Sequence, residues 1–462
     1  MIAESERQQG SAPTSGGLYS PTMNRRRFTR LTALGATGLW IPETTLFPHR
    51  PQQSPRVDAD RLGARMRTLA TFGANADGGI DRVAFSEADL LAREWIADLL
   101  AGAGFETSTD VAGNLIGRKE GTEPDLRPIM FGSHVDSVPG GGNFDGQVGS
   151  MGAVEVAQTL ADAGYRNRHP WEVVIFTNEE GGKTGSRALA GQVEPFELDL
   201  ETASGFTIGE GLRRLGGDPD RLVEAQRPPG SLAAFLELHI EQGAVLDEDG
   251  IDIGVVEGIV GIMRWNVTVE GMTNHAGTTP MDRRRDAMVG AARLVTSVYR
   301  IAHDLPGRQV ATVGRIEADP GAPNVIPGTV TLSLEIRDLS MEGIERVFTE
   351  IRRRASELEP TSGVTYRFDR FYVSRAAPTD PRIRDMVERH AAELGLSALR
   401  MPSGAGHDAQ SFAELGPIGM IFVPSVAGIS HAPEEHTDLE DIVNGSNVLL
   451  RTLLEIDARG LG

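Results

Sequence analysis

The chain has 462 residues, 40% of them hydrophobic and 24% charged, with 65 Asp plus Glu against 45 Lys plus Arg, a formal net charge of −20 and no cysteine. That length holds two or three domains with ordinary cores. The missing cysteines exclude a disulfide framework, a thiol nucleophile and any thiolate metal site, so a metal must sit on His, Asp and Glu. The acidic excess excludes a nucleic-acid partner, which needs a basic surface.

The elements follow in chain order. Residues 1–57 read as a leader and linker, rich in Ser, Gly, Gln and Pro, and predict disorder before Met23, an alternative start. Asn24-Arg25-Arg26-Arg27-Phe28-Thr29-Arg30, followed by the apolar run Leu31 to Ile41, resembles a twin-arginine export signal. That run is about half the roughly 20 residues a membrane-spanning helix needs, so it predicts a signal region and no stable membrane anchor. Export to the periplasm is the expectation, with the cytoplasm as the alternative.

Ser86 to Ala103 predicts an amphipathic helix opened by a capping box, Ser86-Glu87-Ala88-Asp89. Pro128 to Gly132 and Trp171 to Thr177 predict buried strands, with a helix over Gly149 to Ala163 between them. Strand, helix, strand implies a βαβ unit and an α/β sheet. Leu232 to Ile240 and Ile418 to Pro424 predict further strands, and Leu439 to Ile456 the last helix. Residues 258–372 differ. Strands over Trp265 to Glu270, Gln309 to Glu317 and Thr329 to Arg337 accompany helices over Arg285 to His303 and Met341 to Leu358. This predicts an α+β module inserted between residues 58–257 and 373–462 of a split first domain.

Five places carry metal-capable or catalytic side chains, several of them directly after apolar strands, where α/β sheets collect their ligands. The first is Gly132-Ser133-His134-Val135-Asp136-Ser137 with Asp145 in the glycine-rich Gly142-Asn143-Phe144-Asp145-Gly146. His plus Asp is a zinc-type pair, and Asp136 is placed to accept the second N–H of His134. The second is the carboxylate pair Glu179-Glu180, and the third is His239 in Leu236-Glu237-Leu238-His239-Ile240-Glu241-Gln242-Gly243. The fourth comprises His275 in Asn274-His275-Ala276-Gly277-Thr278, Asn324 and Arg337, whose guanidinium suits a substrate carboxylate. The fifth is Gly404-Ala405-Gly406-His407-Asp408-Ala409 with Ser430-His431-Ala432-Pro433-Glu434-Glu435. Taken singly, each also reads as a strand-end turn, a surface acidic pair or a solvated loop histidine.

Together and in this order, these segments resemble the M20 peptidase superfamily, in its amidase/hydantoinase/carbamoylase branch. The resemblance runs from about Asp58 to the C-terminus, and GSHVDSVPGGGNFDG, TNEEG, LELHIEQG, NHAGTTPM and SHAPEE carry it. It implies a mixed-sheet zinc-hydrolase catalytic domain, split in sequence, with an inserted ferredoxin-like lid and dimerisation domain. It implies two divalent metal ions per subunit, Zn²⁺ first, with Mn²⁺, Co²⁺ or Ni²⁺ as alternatives. Asp145 would bridge them, His134 and His239 completing one site and Glu180 and His431 the other. Glu179 would be the general base and Asp136 the carboxylate behind the ligands. Gln242, His275, Asn324 and Arg337 would contact a small anionic substrate, His275 arriving from the partner of a homodimer. The implied reaction is hydrolysis of a ureido or amide C–N bond, with an N-carbamoyl amino acid as substrate. Allantoate amidohydrolase and dipeptidase or aminoacylase activities are alternatives. An exported binding protein without catalysis is the alternative from another class, and the filled ligand and base positions speak against it. One departure concerns the substrate: Gly181-Gly182-Lys183-Thr184-Gly185-Ser186-Arg187 is short where members of the branch carry a longer loop.

Overall fold

The predicted apolar runs become neighbouring strands of one mixed sheet. The computed structural model describes residues 55–461, and the leader with its twin-arginine-type signal lies outside them. In chain order the strands are β1 (Glu106–Thr109), β2 (Leu115–Lys119), β3 (Ile129–His134), β4 (Trp171–Phe176), β5 (Ala234–Ile240) and β6 (Ile253–Ile259). β7 (Gly261–Glu270), β8 (Asn274–His275), β9 (Val310–Asp319), β10 (Val325–Ile326), β11 (Thr329–Asp338) and β12 (Thr365–Ser374) follow. β13 (Ala377–Pro378), β14 (Ala398–Ser403) and β15 (Ile418–Val423) complete the set.

The large sheet has the order β1-β2-β4-β3-β5-β15-β6-β13, with β14 also beside β6. Its centre, β4-β3-β5-β15, is parallel, and the strands on either side of it pair antiparallel. Every residue of these four strands is buried, because both faces are covered. Alternation sorts the side chains of β5: Leu236, Leu238 and Ile240 join a core with Val154 and Leu450, while Phe235 joins Phe176 and Phe412 on the opposite face. Glu237 and His239 share the face of Phe235. From β3 the chain passes to β4 on one side and later reaches β5 on the other. The carboxyl ends of β3 and β5 therefore flank a topological switch point, the place where such sheets open a crevice. The helix Gln147–Asp162 seats against it, so close that a Cβ on Gly149 would come 2.0 Å from the Leu238 carbonyl oxygen.

The second sheet, β12-β7-β11-β9, is antiparallel and packs on the helices Ala287–Asp304 and Met341–Ser362. Trp265 of β7 stacks on Phe348 with ring centroids 4.1 Å apart. The chain leaves the large sheet after Ile259 and returns at Ala377, and these two residues pair with each other. The edge strand β12 is absent from the predicted elements. Most of its residues are exposed, so its apolar alternation does not mark a core face.

Two local expectations change. The helix after Ser86 spans Glu87–Gly102, and Ser86 accepts the Asp89 N–H, but the return bond of the expected capping box is missing. The Asp89 carboxylate instead accepts the N–H of Phe85, whose φ is +69°, and pairs with Arg93 at 2.7 Å. The helix predicted from Arg285 starts at Ala287, because Asp286 caps it by accepting from Met288 and Val289.

The last helix, Leu439–Arg459, begins in an acidic cluster. Burial, then Asp438, Asp252, Glu440 and Asp247, pushes Asp441 up to about 6. Its folded-state value therefore exceeds the unfolded one, and stability is lost as pH rises through about 6. Asp441→Asn is expected to raise Tm at about pH 8 and to change it little near pH 4. Thermal melts at both pH values check this, and equal shifts would show that charge is not the cause.

Candidate metal centre and active site

The histidines and carboxylates at or just after the ends of β3, β4 and β5, and His431 in the loop that follows β15, converge on Asp145. Its Oδ1 lies 3.1 Å from His239 Nε2 and 3.7 Å from His134 Nε2, and its Oδ2 lies 3.1 Å from His431 Nε2. Glu180 Oε2 stands 3.5 Å from His431 Nε2, and Glu179 Oε2 stands 3.7 Å from His134 Nε2. Two donor groups result, His134 with Asp145 and His239, and Asp145 with Glu180 and His431, each with its ligand atoms within 4.8 Å of one another. Asp145 belongs to both, one oxygen facing each.

Local backbone makes the convergence possible. Gly146 has φ +78°, and a Cβ there would sit 2.2 Å from His134 Nε2, so only glycine lets this loop close on the ring. Asn178, Gln242 and His431 adopt φ of 52°, 59° and 58°, a left-handed region costly for side chains other than glycine. Each turns the chain just past or near a strand end, and such strain concentrates at functional sites.

The tautomers point the same way. His134 Nδ1 is 3.0 Å from the Asp136 carbonyl oxygen and His239 Nδ1 is 2.9 Å from that of Ile240. A carbonyl only accepts, so each Nδ1 carries a proton and Nε2 is the nitrogen each ring turns toward Asp145, where its lone pair would serve a cation. His134 Nε2 is buried and has no hydrogen-bond partner. The Asp136 carboxylate does not take the imidazole N–H as expected. It lies 3.6 Å from Nδ1 and accepts instead from the N–H groups of Glu179 and Glu180, at 3.3 and 3.1 Å. The backbone carbonyl of the same residue holds the ring, and the carboxylate holds the acidic turn.

Among the protein groups alone, burial pushes Glu179 up to about 7, aided by Asp136 and Asp145 and opposed by His134 and Lys183. Burial, then Asp145 and Glu179, pushes Glu180 up to about 8. Burial also opposes ionisation of Asp145, but His134, His239 and His431 outweigh it and hold the carboxyl well below its usual range. Three carboxylates packed this tightly need positive charge beside them. The orphaned His134 nitrogen, the paired donor groups and the oxygen-and-imidazole chemistry fit a divalent cation.

The remaining predicted residues divide. Gln242 joins the cluster, its Nε2 donating to Asp145 Oδ2 at 2.5 Å while its buried Oε1 has no partner. Gln242 and Arg337 line a cavity of about 540 Å³ with Gly404 and Ala405. Arg337 donates to the Gly404 carbonyl at 2.6 Å and to Glu335 at 2.7 Å. His275 and Asn324 neighbour each other across the β8–β10 pair, where the Ala276 N–H donates to the Asn324 carbonyl at 3.0 Å. Both are exposed, and among the described residues no hydrogen bond or ion pair joins them to the Asp145 group. His275 Nδ1 accepts from Gly277 and Thr278, so its Nε2 carries the proton and points a donor outward.

A profile described as peptidase family M20/M25/M40 matches residues 130–455. The chain belongs to that family. This M20 chain is 40% identical over 405 residues to the N-carbamoyl-L-amino acid amidohydrolase of Geobacillus stearothermophilus, covering 87% of the chain and 99% of that protein. To the ureidoglycolate hydrolase of Arabidopsis thaliana it is 35% identical over 417 residues, with 87% of each covered. The crystal structure of a hydantoinase/carbamoylase family amidase from Burkholderia multivorans matches with a TM-score of 0.80 at 37% identity, over 88% of this chain and 99% of that one.

Two residues of the M20 site had no role assigned from the sequence. Glu435 accepts the N–H groups of Phe144 and Asp145 with one oxygen, and with the other the His431 N–H and the Ser430 hydroxyl. It ties the Asp145 loop to the His431 loop, and its signal was its place four residues after His431. His407 is buried with its ring 4.4 Å from that of His239, and its Nε2 lies 2.7 Å from Ser403 Oγ. Burial, then His239, holds its basicity well below normal.

Proposed function

We propose that this M20 protein hydrolyses a ureido or amide C–N bond of an N-carbamoyl amino acid or a related small ureido acid. The observation that carries the reading is the sharing of Asp145 between two donor groups, with Glu179 beside them. His134, Asp145 and His239 would hold one divalent cation, and Asp145, Glu180 and His431 a second. Zn²⁺ is the first choice, with Mn²⁺, Co²⁺ or Ni²⁺ as alternatives. When bound, such cations supply the charge that polarises a carbonyl and acidifies water.

The chain's own residues do the rest. Glu179 takes a proton from the attacking water and delivers it to the departing nitrogen as the C–N bond breaks. Among the protein groups alone, burial raises its carboxyl to about 7, which strengthens it as a proton acceptor. Arg337 anchors the substrate carboxylate at one end of the cavity, and Gln242 orients the reacting end. His275 and Asn324 contribute hydrogen bonds to the oxyanion. By the family resemblance, His275 serves the site of the partner in a homodimer, and its exposed donor outside its own chain's cluster supports that reading. By the same resemblance, the four-stranded module is the lid and dimerisation domain. Among the described residues no helix is long and apolar enough to cross a membrane. Arg25, Arg26 and the apolar run after them support export of this enzyme.

The Arabidopsis relative, named a ureidoglycolate hydrolase, favours a second, smaller ureido acid as substrate. A panel of N-carbamoyl, N-formyl and N-acetyl amino acids, ureidoglycolate, allantoate and dipeptides, assayed with Mn²⁺, Co²⁺ or Zn²⁺, decides among these. A ureido acid is expected to give the highest kcat/KM. Preference for an N-acetyl amino acid or dipeptide by about tenfold would overturn the reading, since that margin equals about 1.4 kcal/mol of differential binding.

A further inference from the structure

Lys183, in the short loop after the carboxylate pair, has no part in the chemistry above, yet it is one of only two lysines in the chain. Its backbone has φ +60°, and its N–H donates to the Glu179 carbonyl at 2.8 Å, closing the turn that carries Glu179 and Glu180. Its ammonium donates to Gln410 Oε1 at 2.5 Å. Gln410 Nε2 in turn donates to the Arg375 carbonyl at 2.7 Å and to the Val260 carbonyl at 3.3 Å.

The position of those two carbonyls gives the contact its meaning. Val260 lies between β6 and β7, and Arg375 between β12 and β13, so they mark the two crossings of the chain between the large sheet and the four-stranded module. The crossings run side by side, as the Ile259–Ala377 pair shows. Gln410 touches both, and its orientation is unambiguous: an ammonium only donates and a carbonyl only accepts, so the amide oxygen must face Lys183 and the amide nitrogen the crossings.

We propose that Lys183 and Gln410 form a latch that fixes the Glu179 turn to both crossings, so that movement of the four-stranded module shifts the general base. They are positioning residues, and the inference rests on the reading of Glu179 as that base. A lysine suits the role because a charged donor makes a stronger hydrogen bond than a neutral one. Nearby Glu179 and Asp408 favour its charge, although burial opposes it.

The test uses the full chain and two readouts. Lys183→Met and Gln410→Leu are each expected to lower kcat and kcat/KM equally, by about tenfold, as misplacement of a catalytic group does. The double variant should lose no more than either single one, because one contact is broken in all three. Lys183→Arg should restore most of kcat. Because the chain has no cysteine, Glu94→Cys and Arg300→Cys give two unique sites for spin labels, one on each sheet's flank. Electron-spin distance distributions should broaden in both latch variants, and Gln410→Leu carries the test alone should Lys183→Met fold poorly. Additive losses in kcat, or a distribution unchanged in both variants, overturns the latch. A broadened distribution with unchanged kcat overturns its connection to Glu179. Failure of the base reading shows separately, as full turnover by Glu179→Gln, while the distance readout still reports on the latch.

Discussion

Glu179→Gln is expected to lower kcat by about 10²- to 10⁴-fold, the contribution typical of a positioned general base. The substitution keeps the shape of the side chain and removes only the proton-accepting carboxylate. KM and metal content should stay near those of the parent, because Glu179 Oε2 stands 3.7 Å from His134 Nε2 and is not among the donor groups centred on Asp145. Steady-state kinetics with metal analysis of the same preparation checks both halves. The environment gives the loss its size. Among the protein groups alone, burial raises the carboxyl to about 7, which makes it a stronger proton acceptor than an ordinary carboxylate. A neutral amide accepts no proton there. Full activity in the variant would assign the base elsewhere.

Asp145→Asn is expected to remove activity at least as completely, by a different route. A carboxylate offers an acceptor oxygen to each donor group, whereas an amide offers one oxygen and turns an NH₂ donor toward the other. Both groups lose a ligand at once. In the parent, metal present at about 100 times its Kd stabilises the fold by about 2.7 kcal/mol per occupied site, and a chelator removes that increment. The variant should melt at the same temperature with and without metal. A second term has a definite sign. Without metal, the folded-state value of Asp145 is held well below that of the free carboxyl by three imidazoles. It therefore contributes stability above the ordinary carboxyl range, and that stability is lost as pH falls through the folded value. The variant lacks this contribution at neutral pH as well. Calorimetry with and without chelator tests the prediction, and metal retained at the parental stoichiometry would sink it.

Some of this site could be read without coordinates because each element carries a local signal. β3, β4, β5 and β15 are apolar runs bounded by turn residues. The chemistry of β3, β4 and β5 stands at or directly after their ends, since a side chain there leaves the core where the helices stop covering the sheet. Other signals misled for equally local reasons. Asp89 looked like a reciprocal cap, but burial against Arg93 and the positive φ of Phe85 redirected it. β12 alternates as a strand should, yet it lies at an edge with most of its residues exposed, so no core face announced it.

The sequence by itself determined the residue types and their order: a cysteine-free set of histidines and carboxylates, and an α+β stretch between two parts of an α/β pattern. Only the tertiary structure decided which of them meet. Asp145 and His431 are far apart in the chain, yet their side chains lie 3.1 Å apart. Strand order, not spacing, puts them there, because β15 pairs beside β5 and brings its following loop over the switch point. The same holds for Glu435, for Asp136, whose carboxylate and carbonyl divide two tasks, and for the Lys183–Gln410 contact at the crossings. Periodicity and capping act over a few residues. These contacts depend on the packing of whole elements, which no local pattern records.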